Sequence, residues 1–278
     1  MRIGDVGLEL IEDGFARTDG GGMFGLVPKV MWEKKHPADE LNRVGMRMTS
    51  LLITDGEHSI VVDTGYGSKL SSNTRTLLGI ETTGLLPEKL SAHGIQPDQV
   101  DIVINTHLHA DHCGGNTVKR GERVVPTFPR ASYIVQRGEW EAALNANERT
   151  RATYFPDNFL PLQEAGQLEL VEGDNQVTPR VRCVLTPGHD SSHQSVLIES
   201  EGEKALFVAD LAPYAVHIER LPWIPAFDLD PMGTIETRRR IREWAVAEHV
   251  LLIFPHDPEI GMGYLHNDSG HYWIEAVG

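Results

Sequence analysis

The chain of 278 residues has only two cysteines, Cys113 and Cys183. A disulfide needs a specific geometry, and both residues read instead as small buried side chains. Basic residues are also scarce: 25 Lys and Arg stand against 40 Asp and Glu, a formal net charge of -15. Nucleic-acid binding rests on clustered Lys and Arg, so no nucleic-acid partner is expected. The same charge disfavours an anionic membrane surface. No apolar run reaches the roughly 20 residues that span a bilayer. Met1-Arg2-Ile3-Gly4-Asp5 carries no apolar signal core, which predicts a cytoplasmic protein. Repeats and low-complexity tracts are absent too. What remains is an ordinary globular composition, 40% hydrophobic and 23% charged, in a chain long enough to bury a core without crosslinks. A small neutral or weakly charged apolar substrate suits this balance best.

The segment 19–38, with Gly20-Gly21-Gly22-Met23-Phe24-Gly25, reads as a long ordered loop, because Met23, Phe24, Val27, Val30 and Trp32 are too apolar for solvent. Loops of that length are usually functional. Met48–Thr54 and Ser59–Asp63 are β-rich runs around Asp55-Gly56, a hairpin signal. Leu86–Gly94 has helical spacing and a terminal glycine. Short apolar runs of the buried-strand type follow at Val100–Asn105, Ser132–Gln136, Val181–Leu185, Ser195–Ile198, Ala205–Ala209 and Val250–Phe254. A helix is predicted from about Met232 to His249, with Ile235, Ile241, Trp244, Ala245 and Val246 on one side. Strands with interspersed helices predict a layered α/β or α+β sandwich.

Four of the apolar runs end alike. Val103-Ile104-Asn105 leads to His107, Val184-Leu185 to His189, Phe207-Val208-Ala209 to Asp210 and Ile253-Phe254-Pro255 to His256. Loops beyond the carboxyl ends of buried strands are where open sheets place ligands. The first of them carries His107-Leu108-His109-Ala110-Asp111-His112. Three imidazoles and a carboxylate this close would carry a large desolvation cost in an apolar core. Around divalent cations the same groups become ligands. Alternate residues His107 and His109 point to one metal, and adjacent Asp111 and His112 turn towards a second. His189 completes the first site, His256 joins the second, and Asp210 is placed to bridge them. Gly114-Gly115 then allows a tight backbone.

This set, H-x-H-x-D-H followed by His189, Asp210 and His256, resembles the signature of the metallo-β-lactamase superfamily. Val61-Val62-Asp63-Thr64-Gly65 looks like the early strand and turn of that family, in which the Asp supports metal ligands from behind. The resemblance implies an α+β fold: an αββα sandwich, two mixed sheets flanked by helices, one domain over 1–278, with 19–38 near the active-site entrance or a dimer interface. Residues 19–29, Trp32-Glu33-Lys34-Lys35 and 221–228 are similar to the quorum-quenching N-acyl homoserine lactonase branch. That branch implies two divalent ions, zinc first and iron, manganese or cobalt as alternatives, and a homodimer. It also implies a metal-bridging hydroxide that attacks a carboxylic ester or lactone, an N-acyl homoserine lactone in the first place. Known lactonases carry a substrate-facing Tyr three positions after the bridging Asp; here Pro213 stands there and Tyr214 follows.

The resulting expectations are specific. Asp111 passes a proton, and Tyr214 or His217 donates to the developing oxyanion. Met23, Phe24, Trp32, Trp223 and Phe227 form the acyl-binding wall. A phosphotriesterase and a thioesterase of the glyoxalase II kind are the alternative enzymes. A metal-stabilised binding or sensor module is the non-enzymatic alternative.

Overall fold

The computed structural model describes residues 1–277. An eight-stranded sheet runs in the order Arg2–Ile3, Val6–Asp19, Arg43–Thr54, Ser59–Val62, Ile102–Ile104, Ser132–Gln136, Leu168–Val171, with Ile80–Thr82 paired onto Val6–Asp19. A seven-stranded sheet runs Asn175–Thr178, Val181–Leu185, Gln194–Ser200, Glu203–Phe207, Leu251–Ile253, Met262–Asp268, His271–Ala276. Both are mixed. Ser59–Val62, Ile102–Ile104 and Ser132–Gln136 are parallel neighbours in the first, and Glu203–Phe207 and Leu251–Ile253 in the second.

Residue alternation explains the layering. Successive strand side chains point to opposite faces. Ile60, Val62, Ile104, Val196, Ile198, Ala205, Phe207, Leu251 and Ile253 meet between the sheets. Their neighbours face outward: Val61 and Val103 pack with Leu86 and Leu90 of the helix Leu86–Ala92. On the other side Leu197, Leu206 and Leu252 pack with Ile241 and Ala245 of the helix Pro231–Ala247. Runs buried on both faces therefore read as continuous apolar sequence. The result is the αββα sandwich.

Segment 19–38 is not loop throughout. It forms short helices at Gly20–Phe24 and Lys29–Trp32, the first capped by Asp19, whose Oδ1 accepts from Gly21 N at 2.7 Å and Gly22 N at 3.2 Å. Met23, Phe24 and Trp32 are buried, but Val30 is 72% exposed, contrary to its apolar character. The 14-residue strand Val6–Asp19 escapes the alternation rule for a local reason. Its pairing register shifts between Glu12 and Gly14. Buried Asp13 sits in that bulge and accepts from Leu86 N at 3.0 Å, Gly84 N at 3.1 Å and Thr83 Oγ1 at 3.0 Å.

The parallel pairings set the site. Ser59–Val62 and Ile102–Ile104 end on the same side, so Asp63 and the His107–His112 stretch emerge together. In the second sheet Glu203–Phe207 and Leu251–Ile253 do the same for Asp210 and His256. Val181–Leu185, two antiparallel steps from Glu203–Phe207, points the same way and delivers His189.

Candidate metal centre

His107, His109, Asp111, His112, His189, Asp210 and His256 converge at this edge of the sandwich. Three groupings have donor atoms within 4.8 Å of one another: His107, His109 and His189; His107, His112 and Asp210; Asp111, His112 and His256. His109 Nδ1 lies 3.0 Å from both His107 Nε2 and His189 Nε2. His112 Nε2 lies 3.0 Å from His256 Nε2. Asp210 stands between the two sets, with Oδ2 3.4 Å from His189 and Oδ1 3.3 Å from His112 and 3.1 Å from His256. Asp111 Oδ2 is 3.7 Å from His112 and 3.8 Å from His256.

Outer partners fix which ring nitrogens face inward. His112 Nδ1 meets Asp63 Oδ2 at 2.8 Å, His189 Nδ1 meets Asp228 Oδ1 at 3.0 Å, and His256 Nδ1 meets the Arg47 carbonyl at 2.7 Å. These partners accept hydrogen bonds, so each Nδ1 carries a proton and each Nε2 is the nitrogen that faces inward, as a lone pair whenever the ring is neutral. Two lone pairs 3.0 Å apart, on His112 and His256, repel unless a positive charge lies between them. Asp210 Oδ1 is buried and has no hydrogen-bond partner among the described residues. The donor set, imidazole and carboxylate with its outer nitrogens held, fits divalent transition metals.

The electrostatics agree. Burial opposes charge on His107, His109, His112 and His189. At His112 the carboxylates of Asp210, Asp111 and Asp63 outweigh it and raise the proton affinity well above the ordinary value. Asp210 and Asp228 do the same at His189, raising it to about 9. His107 and His109 go the other way, pushed well down by burial and by neighbouring imidazoles. Asp210, although buried, is kept ionised by His112, His256 and His189. The cluster thus attracts positive charge at its carboxylate side.

Backbone strain marks the supports. Asp63 (φ 55°) and Ala209 (φ 49°) adopt left-handed conformations, which cost a non-glycine residue about 1 kcal/mol or more. Asp63 is held there by Thr106, whose N and Oγ1 both donate at 2.8 Å. Asp210 is held by its own N–H, which donates to His193 Nε2 at 3.1 Å. Burial and His189 push His193 down to about 3, so it is a neutral structural ring.

The cluster floors a cavity of about 610 Å³. His109, Asp111, His189 and Asp210 line its inner end; Met46, Tyr66, Leu78, Phe155, Phe227 and Leu229 are among its walls. Of the expected acyl wall only Phe227 is there. Met23, Phe24, Trp32 and Trp223 pack against one another and Tyr214 in a satellite core, with the Phe24 and Trp32 rings stacked at 4.8 Å. Large apolar side chains under a loop gain more from full burial than from lining an open cavity. The two expected oxyanion donors are also elsewhere. Tyr214 is fully buried and its hydroxyl donates to the Gly45 carbonyl. His217 is fully buried, accepts from Tyr214 N at 3.0 Å through Nδ1, and donates through Nε2 to the Met23 carbonyl at 3.2 Å.

Residues 47–256 match the family model described as the metallo-beta-lactamase superfamily. The chain belongs to the metallo-beta-lactamase superfamily. It is an enzyme of the metal-dependent hydrolase type within that superfamily. It is 30% identical over 218 residues to an N-acyl homoserine lactonase of Bacillus thuringiensis, covering 75% of this chain and 80% of that one. A probable metal-dependent hydrolase from Staphylococcus aureus superposes with a TM-score of 0.91 and 28% identity over 100% of both chains. An N-acyl homoserine lactone hydrolase solved with N-hexanoyl-L-homoserine at its catalytic metal centre gives a TM-score of 0.72 and 27% identity, covering 93% of this chain and 95% of that one.

Several contributors were not visible as such in the sequence. Asp228 lies one residue beyond Phe227, and nothing local announces that it reaches His189. His193 follows His189 by four positions and reads as another ligand or as core with equal ease. Tyr66 directly follows the Val61–Gly65 turn; that neighbourhood was its one signal.

Proposed function

We propose that this metallo-beta-lactamase superfamily hydrolase acts through a dinuclear centre on carboxylic esters or lactones, with N-acyl homoserine lactones as its substrate class. The observation that carries this reading is the Asp210 carboxylate, whose two oxygens face separate ligand sets at the floor of a largely apolar cavity. The relatives named for lactone hydrolysis support the choice of bond.

His107, His109 and His189 would hold one cation and Asp111, His112 and His256 the other, with Asp210 shared. Bound there, divalent cations lower the pKa of water towards neutrality and polarise a carbonyl. Asp63, Asp228 and the Arg47 carbonyl keep the imidazoles in the ligating tautomer. Asp111 is the most exposed carboxylate of the cluster, at 19% of its side chain against 13% for Asp210. Its carboxylate takes the proton of attacking water and returns it to the leaving oxygen. Met46, Phe155, Phe227 and Leu229 take the acyl chain in place of the buried aromatics. Among the described residues no helix is long and apolar enough to cross a membrane, and we place the enzyme in the cytoplasm with a small diffusible substrate.

The test is metal analysis of the purified protein followed by rates on a lactone, an aryl ester and a phosphotriester, for wild type and His109→Ala. Two metals per chain and lactone turnover lost in the variant support the reading. Turnover of the phosphotriester alone, or none that depends on metal, would overturn it.

A further inference from the structure

With Tyr214 and His217 sealed in the satellite core, the cavity needs another group to meet the substrate oxygen. Most donors along its walls are already engaged. Arg17 pairs with Glu81 at 2.8 Å and Arg43 with Asp39 at 2.8 Å. Arg149 donates to the Ala226 carbonyl at 2.8 Å, and Thr153 Oγ1 to the Thr150 carbonyl at 2.7 Å. Tyr66 differs. It lines the cavity together with Asp111 and Asp210, and no hydrogen bond ties its hydroxyl to another described residue. A phenol keeps its proton at neutral pH and is free to donate it in a hydrogen bond.

Its position is also fixed against the ligands. Thr64 N donates to the His112 carbonyl at 2.7 Å, and Gly115 N to the Gly65 carbonyl at 3.1 Å. A Cβ at Gly114 would run into the Tyr66 carbonyl. Gly67 takes φ +63°, and a Cβ on it would run into the Gly114 carbonyl, a conformation and an approach that suit only glycine. The Tyr66 backbone is therefore clamped to the turn that bears Asp111 and His112.

We propose that Tyr66 is a catalytic hydrogen-bond donor, its hydroxyl meeting the reacting carbonyl oxygen of the ester or lactone as negative charge develops there. This rests on the ester or lactone reading above. In the step it serves, the water oxygen bonds to the carbonyl carbon, the carbon–oxygen bond to the leaving group breaks, and the water proton ends on the leaving oxygen. The phenol keeps its own proton throughout.

The test is Tyr66→Phe, which preserves the ring, on fully metal-loaded protein. Loss of one preorganised oxyanion donor lowers kcat by about a hundredfold, while KM moves by less than about threefold. Metal content and unfolding temperature stay at the wild-type values. Calorimetry with ring-opened N-hexanoyl-L-homoserine supplies a readout without turnover, with binding about tenfold weaker in the variant. A variant with wild-type kcat, or one that loses metal along with activity, would overturn the assignment. A wild type inactive on every ester and lactone overturns the substrate reading instead; equal product affinity in the two proteins then overturns the role of Tyr66 as well.

Discussion

Asp228 offers the sharpest check on how the site is held. Its side chain is fully buried, accepting from His189 Nδ1 at 3.0 Å and from Thr234 Oγ1 at 2.8 Å. In Asp228→Ala the Thr234 hydroxyl keeps a second acceptor, the Asp230 carbonyl at 3.2 Å. His189 keeps none on that side, so the loss concentrates on one imidazole. A hydrogen bond to a charged group is worth about 1.5–3 kcal/mol, which converts to roughly a 10- to 100-fold weaker metal affinity. That is the range lost when other metal-bound histidines are deprived of their outer partner. Asp228→Asn keeps one acceptor oxygen and gives up the charge, so its loss is smaller, about tenfold or less. The assay is equilibrium titration of metal-depleted protein with zinc against a chromophoric chelator. An Asp228→Ala protein that binds zinc within about twofold of wild type would refute the claim that the outer carboxylate sets the ring.

Tyr214→Phe leaves the part-buried Gly45 carbonyl without the tyrosine donor and lowers unfolding stability by about 1 kcal/mol; kcat per folded molecule stays at wild type, and a collapse in kcat would show that the hydroxyl reaches substrate. Lys69 tests linkage, because burial pushes its ammonium down to about 8 from 10.5. Below pH 8 folded and unfolded chains both carry that proton and the burial cost is fully present. Between about pH 8 and 10.5 the unfolded chain binds more protons, so stability rises with pH. Urea unfolding should show wild type gaining on Lys69→Met by up to about 3 kcal/mol across that window, and a flat or falling difference would contradict it. Chelation should lower the free energy of unfolding and zinc should restore it, by about 4 kcal/mol at a thousandfold excess over Kd; a stability unmoved by chelation would deny that metal joins the sheets.

The site was more legible than its surroundings, and the reason is physical. Three imidazoles and a carboxylate in six residues have no comfortable place in a core, so His107–His112 announces a cation from composition alone. His189, Asp210 and His256 were readable because each follows a buried strand, and two of the strand runs, Ser132–Gln136 and Val181–Leu185, coincide with the observed spans. The substrate wall was illegible for the opposite reason. Met23, Phe24, Trp32 and Trp223 have the same chemistry whether they line a cavity or fill a core, and only the packing around Tyr214 separates the two. Tyr214 and His217 misled because a helix of five residues, Ala215–Glu219, turns both inward against Gly45 and Met23. No local pattern encodes that rotation. Val6–Asp19 hid behind the bulge at Asp13, where one charged residue breaks the alternation.

The division of ligands between the sheets explains why the outer partners tie one sheet to the other. His107, His109, Asp111 and His112 belong to the first sheet's edge, and His189, Asp210 and His256 to the second's. The sheets otherwise meet through apolar contacts that have no preferred direction. Such a core holds the sheets together but tolerates small displacements along the interface, and metal coordination does not. Cross-sheet polar contacts supply the missing direction. Arg47, on a first-sheet strand, accepts through its carbonyl from His256 of the second at 2.7 Å. Gln194 of the second sheet donates to the Asn105 carbonyl of the first at 2.8 Å through Nε2, and through its backbone to the Thr106 carbonyl at 3.0 Å. Thr106 in turn pins Asp63, which sets His112. The register between the sheets is thus written into the same hydrogen bonds that aim the imidazoles, and a substitution that slips one sheet on the other should be felt first as lost metal rather than as lost fold.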